Sequence, residues 1–115
     1  MQRLTAENCL ALLKTGEFDV GIIGAAASVA VVLTQSWCPQ WGWMRAYLSS
    51  LPPGEGTEVF WVEYDLEEFF EPFMRFKEGV FGNDQVPYVR FYRGGKFAAE
   101  SNFIDKGGFL RHLHG

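Results

Sequence analysis

The chain has 115 residues, a formal charge of −4, 48% apolar residues and 17% aromatic ones, with 11 Phe and 4 Trp. This composition describes one globular domain with an aromatic-rich core and excludes a disordered or low-complexity chain. Basic residues are few and scattered, which argues against nucleic-acid binding, because that needs a concentrated positive surface.

Residues 1–3 fit a stub of edge strand at most. Residues 4–14 read as a helix: Thr5 is a suitable N-cap, Ala6, Cys9, Leu10 and Leu13 share one face, and Gly16 ends it. The apolar stretch 20–33 is too short to cross a bilayer and is interrupted by Gly21 and Gly24. Its second part, 29–33, is β-branched and continuously apolar, as expected of a strand buried on both faces. A helix follows from about Cys38, with Pro39 suited to its first turn, and stops before Pro52-Pro53-Gly54. Residues 58–64 form the next strand. Asp65 is read as the cap of a helical segment with apolar positions at Leu66, Phe69, Phe70, Phe73 and Phe76, in which Pro72 marks a kink or a restart. After a loop at 79–85, residues 87–92 form a strand, Gly94-Gly95 a hairpin turn, 96–100 the return strand and 105–112 the last helix.

The order α-β-α-β-α-β-β-α contains two crossovers, which need parallel strand pairs, and a final antiparallel hairpin. The expected fold is an α/β three-layer sandwich: a mixed sheet of four to five strands covered by helices on both faces. Residues 1–115 form one domain.

Chemistry concentrates in Ser36-Trp37-Cys38-Pro39-Gln40-Trp41, at the junction of a strand and a helix. Backbone N–H groups at a helix N-terminus stabilise a thiolate. The residue three positions on, where a second Cys would close a Cys-x-x-Cys disulfide, is Trp41. The site holds one thiol.

With Trp37-Cys38 after the second long strand, Asp65 at the end of the next, and Val86-Pro87-Tyr88 leading into Phe91-Tyr92-Arg93-Gly94-Gly95-Lys96, the chain resembles thioredoxin-fold proteins over residues 4–113. The resemblance implies a cis peptide before Pro87, with that proline facing Cys38, and thiol–disulfide exchange as the chemistry. It also exposes the departures. The family's second Cys falls at Trp41, its buried acid at Val32 and that acid's Lys partner at Trp61. Every part of the resolving half-reaction is thus replaced by an apolar residue. The segment between Asp65 and Pro87 is longer than usual for a thioredoxin. Cys38-Pro39 is similar to glutaredoxins, but the chain has neither a Cys-Asp-Asp-like glutathione clamp before the last helix nor a Lys just ahead of Cys38.

Two functions are open at this point. In the first, Cys38 is a catalytic nucleophile that attacks protein or peptide disulfides, and an external thiol resolves the mixed disulfide. In the second, the chain is a redox-inactive module that binds a protein partner through a Trp37/Trp41/Pro87 surface, with Pro39 and Tyr88 in the same exposed apolar patch. In either, Val86 and Pro87 offer backbone against which an extended peptide can pair. Trp41, one helical turn from Cys38, packs on the sulfur, shields it, or turns into the core.

Cys9, on an apolar helix face, reads as a buried inert thiol not bonded to Cys38. Trp43 reads as core or helix-packing surface. Arg45 is solvent-exposed or stacked on Trp41. Arg90 interrupts an apolar strand and is expected at an edge or paired with Glu63 or Glu100. His112 and His114 point to different sides of a helix, so no metal site and no cofactor are expected. No charged-then-apolar leader precedes the first helix, and a cytoplasmic, non-membrane protein is the expectation.

Overall fold

A computed structural model describes residues 1–51 and 56–115; the expected stop at Pro52-Pro53-Gly54 lies outside the described residues. Strand β1 (Gln2–Arg3) leads into helix α1 (Ala6–Thr15) and a short helix α2 (Val20–Ile23). Strand β2 (Ser28–Thr34), helix α3 (Pro39–Ser49) and strand β3 (Thr57–Glu63) follow. A 3₁₀ turn (Tyr64–Leu66), helix α4 (Phe70–Gly79), the hairpin β4 (Tyr88–Arg93) and β5 (Lys96–Ser101), and helix α5 (Lys106–His114) complete the chain. The five strands lie in the order β1-β3-β2-β4-β5. The first three are parallel, and β4 and β5 run antiparallel to their neighbours.

Local chemistry explains most boundaries. Thr5 and Asn8 form a reciprocal capping box, the Thr5 hydroxyl accepting from Asn8 N at 3.1 Å and Asn8 Oδ1 accepting from Thr5 N at 2.9 Å. Gly16 ends α1 in the left-handed region. Asp105 Oδ1 accepts from Gly108 N at 2.7 Å and starts α5. The Gly94-Gly95 turn has positive φ at both residues, which a two-residue hairpin with this twist requires.

Three expectations change. Helix α1 buries Cys9 and Leu12, while Leu10 lies exposed, because the helix meets the sheet along the 9–12–13 edge of its apolar side. Asp65 does not cap α4. The chain makes a separate 3₁₀ turn, and α4 restarts at Phe70 with Pro72 inside its first turn, where a missing N–H costs nothing. The extra helix α2 arises because Asp19 Oδ1 accepts from Ile22 N at 3.1 Å, capping a segment that reads as plain apolar sequence.

Strand alternation splits the core into two halves. On one side, Val29, Val31, Leu33, Tyr88 and Tyr92 meet Cys9 and Leu12 of α1 and Phe73 of α4. On the other, Ala30, Val32, Val89 and Phe91 meet Trp41, Met44 and Leu48 of α3 and Phe109 and Leu113 of α5. The result is a three-layer α/β/α sandwich with a five-stranded mixed sheet. Among the described residues, no helix is long and apolar enough to cross a membrane.

Arg90 sits on the first face, between Tyr88 and Tyr92. It makes an ion pair with neither Glu63 nor Glu100, although Glu100 stands opposite it in the β4–β5 register. Its guanidinium donates to Glu17 Oε2 (3.0 Å), Tyr92 Oη (2.8 Å) and Tyr88 Oη (3.0 Å), and lies 3.9 Å and 4.1 Å from the ring centroids of Phe81 and Phe97. Glu17 arrives from the loop after α1, a partner that strand periodicity cannot name.

Candidate functional site: a lone thiol at a helix start

Cys38 is the N-cap of α3. It has extended backbone (φ −75°, ψ 118°), makes no side-chain cap bond, and is followed by Pro39 at the first helical position. The sulfur accepts from none of the N–H groups of the first turn, so the start of α3 carries no side-chain cap. The loop that delivers the thiol is fixed at several points. Asp65 accepts from Ser36 N at 2.8 Å and from Ser36 Oγ at 2.6 Å. Trp37 Nε1 donates to Gln35 Oε1 at 2.6 Å, and Gln35 Nε2 donates to Tyr64 Oη at 3.2 Å. Asp65 is thus a clamp on the loop of the thiol rather than a helix cap.

Facing the thiol is the Val86–Pro87 peptide, which is cis. Cys38 Sγ donates to Val86 O at 3.6 Å. The segment leading into this peptide is tied down by Lys77, which is buried and donates to Asn83 O (2.9 Å) and Gln85 O (2.7 Å). Asn102, after β5, donates to Pro87 O at 3.0 Å and exchanges bonds with the Asn83 side chain. Lys77 and Asn102 escape sequence reading because their partners are backbone carbonyls with no residue-type signature.

The residues proposed for the site separate into two groups. Trp37 (66% exposed) and Pro39 stand on the surface, while Cys38 is 7% exposed. Trp41 and Tyr88 do not belong to an exposed patch. Trp41, 1% exposed, turns inward, stacks at 5.9 Å between ring centroids on Trp61, and donates from Nε1 to Glu63 Oε2 at 2.9 Å. Tyr88 is fully buried on the opposite face of the sheet, donating to Glu100 Oε1 at 3.0 Å. Helical spacing puts Trp41 on the side of Cys38, and the apolar sheet beneath draws the large ring inward.

Val32 and Trp61 pair directly in the β2–β3 register, and both pack in the same half-core as Trp41. The three apolar replacements thus form one contiguous block behind the thiol. Arg45 stacks on Trp61 at 5.0 Å, not on Trp41, and lies 3.6 Å from Glu63. Trp43 is not core: it is 64% exposed and meets Phe103 edge-on at 5.9 Å. Cys9 is free and fully buried, and burial, with a smaller push from Glu67, raises its thiol to about 12.

Lys77 sets a pH dependence. Burial lowers its ammonium from 10.5 to about 8, against a partial opposing effect of Glu78 and Asp84. A lowered folded value means that its stability contribution is present above 10.5 and lost as pH falls through about 8. Cys9 has the opposite sign: its raised value makes stability fall as pH rises above 9. Thermal stability is therefore expected to rise from about pH 7.5 to about 9 and then to level off and fall. In Lys77→Met the rise should vanish and the fall remain; an unchanged rise in thermal melts would refute this assignment.

A scan against protein-family models finds no match, and no curated protein matches the sequence. Solved structures do match. The chain is similar to Trxlp from Edwardsiella tarda EIB202, with 16% identity, 98% of each chain covered and a TM-score of 0.64. It is also similar to thioredoxin O1 from Arabidopsis thaliana in its oxidised state, with 14% identity, 97% of this chain and 93% of that chain covered and a TM-score of 0.65. A mutant thioredoxin from Halobacterium salinarum matches at 13% identity over 82% of this chain and 78% of that chain, with a TM-score of 0.63. At such identities the likeness establishes the fold.

Proposed function

From this thioredoxin-like fold we propose that the chain performs thiol–disulfide exchange through Cys38 alone, on protein or peptide disulfides, with an external thiol completing the cycle. The observation that carries the reading is the placement of Cys38: an uncapped helix start, opposite the cis Val86–Pro87 peptide, in a loop clamped by Asp65. The Cys38 thiolate attacks one sulfur of a disulfide, forms a new S–S bond, and expels the other sulfur as a thiolate. Trp41 occupies the position from which a neighbouring thiol would attack the adduct. Val32 and Trp61 offer no group to take a proton from such a thiol. The mixed disulfide therefore persists until an outside thiolate attacks it and restores Cys38.

The second reading, binding of a protein partner without chemistry, is favoured by the 7% exposure of Cys38. One experiment separates the two. Bis(2-hydroxyethyl) disulfide, small and uncharged, should give a single mercaptoethanol adduct by intact mass, stable until an external thiol is added. Cys38→Ser should give none, because Cys9 is buried. Absence of the adduct in the wild type, or its survival in Cys38→Ser, would transfer the conclusion to the binding reading.

A further inference from the structure

Tied to the cis Val86–Pro87 segment is an exposed aromatic pair that the exchange chemistry itself does not use. Trp43 of α3 and Phe103 of the loop between β5 and α5 are 64% and 40% exposed, in edge-on contact at 5.9 Å. Together they present aromatic surface that an apolar side chain could remove from water. The pair is held in place from both sides. Asn102, just before Phe103, donates to Pro87 O at 3.0 Å, and Tyr47 Oη of α3 donates to Ile104 O, just after it, at 2.9 Å. The pair is therefore fastened to the same Val86–Pro87 segment whose carbonyl accepts from Cys38 Sγ.

Its chemistry is apolar. Residues 102–104 carry no charge, and α3 carries one charged residue, Arg45, whose guanidinium is stacked on Trp61 beside Glu63. Asp105 turns its carboxylate back to cap α5. A glutathione moiety, with two carboxylates and an ammonium, finds no opposite charge on these segments.

We infer that Trp43 and Phe103 select the substrate of Cys38: an extended protein segment with a bulky apolar or aromatic side chain a few residues from its reacting cysteine. The inference rests on the exchange reading above. A segment pairing along Val86 lies against the Val86–Pro87 peptide, and Asn102, bonded to Pro87 O, is followed directly by Phe103. The segment's apolar side chain then covers rings that otherwise face water, the anchor-in-pocket arrangement that dominates recognition energies. The redox step is unchanged: Cys38 thiolate and a peptide disulfide give the Cys38–peptide disulfide and one peptide thiolate.

The test uses two capped, uncharged peptides, each a symmetric disulfide dimer through a single cysteine. One carries Phe three residues before and after the cysteine, and the other carries Ala at both places. The wild type should form its adduct about tenfold faster or more with the Phe peptide, the factor that burying part of one aromatic side chain supplies. In Trp43→Ala and in Phe103→Ala the Phe-to-Ala rate ratio should fall towards one. Because each ratio is taken within one variant, a general loss of stability does not mimic the effect. Equal rates with both peptides in the wild type, an undiminished ratio in the variants, or oxidised glutathione reacting faster than the Phe peptide would overturn the inference while leaving the exchange reading intact. Failure of the wild type to react even with bis(2-hydroxyethyl) disulfide would remove the exchange reading, and this inference with it.

Discussion

Trp41→Cys, which restores the spacing of a dithiol, is expected to unfold easily and to reduce disulfides poorly. Trp41 is among the largest fully buried side chains of the domain, stacked on Trp61 and donating to Glu63. Truncating a buried Trp to Ala costs ~3–5 kcal/mol, and Cys restores little of the lost volume. For a domain of this size that lowers the melting temperature by roughly 10–20 °C. The melt is measured on reduced protein, so that a new disulfide does not offset the cavity. Activity stays low for a separate reason. The strand position behind the new thiol is Val32, paired with Trp61, and neither accepts a proton; the carboxylate of Glu63 was reached only by the far end of the Trp41 ring and lies 3.6 Å from Arg45. General-base assistance is typically worth ~10²–10⁴-fold in rate. Insulin reduction with an external dithiol should therefore remain orders of magnitude below that of a dithiol with an acid at this place. Strong activity with a melting point within a few degrees of the wild type would show that the apolar block behind Cys38 is incidental.

The other large effect is expected at Arg90. Its guanidinium is buried, sandwiched between Phe81 and Phe97, and forks to Tyr88, Tyr92 and Glu17. Tyr92 also donates to Glu17 Oε1 at 2.7 Å, so the two partners share one carboxylate. Removing Arg90 takes one hydrogen bond from each of Tyr88, Tyr92 and the 38%-exposed side chain of Glu17, and two ring contacts, at a cost of ~1–3 kcal/mol. Lysine should not rescue the site. It is a point charge without the planar fork, and it stacks less well between two rings. In urea denaturation, Arg90→Met and Arg90→Lys should both lose ~1–3 kcal/mol. Arg90→Met combined with Glu17→Gln should cost less than the sum of the two single changes, by ~0.5–3 kcal/mol. Strict additivity, or an Arg90→Lys protein as stable as the wild type, would mean that the network is a collection of independent surface contacts.

The behaviour of Trp41 and Arg90 shows why the site was only partly legible. Spacing alone places Trp41 one turn from Cys38, and it does lie there. Whether that side of α3 meets solvent or sheet depends on the apolar surface of β2 and β3 opposite, which no local pattern contains. Trp43 illustrates the converse: its apolar character suggests burial, yet among the described residues no element packs over its side of α3 and it stays exposed beside Phe103. Arg90 is visibly out of place in an apolar strand, but its carboxylate lies 73 residues away, beyond any periodicity.

By itself the sequence determined the order and type of the long elements, because strand and helix periods, the Thr5 cap and the Gly94-Gly95 turn act over a few residues and depend on nothing distant. It also determined that one thiol stands at a helix start, with Trp at the place of a second. The tertiary structure alone decided which side chains face that thiol, since contacts between Cys38 and Val86, Trp41 and Glu63, and Asn102 and Pro87 join segments that meet only when both faces of the sheet are covered. Burial and hydrogen-bond partners belong to pairs of surfaces, and a chain read one residue at a time carries only one member of each pair.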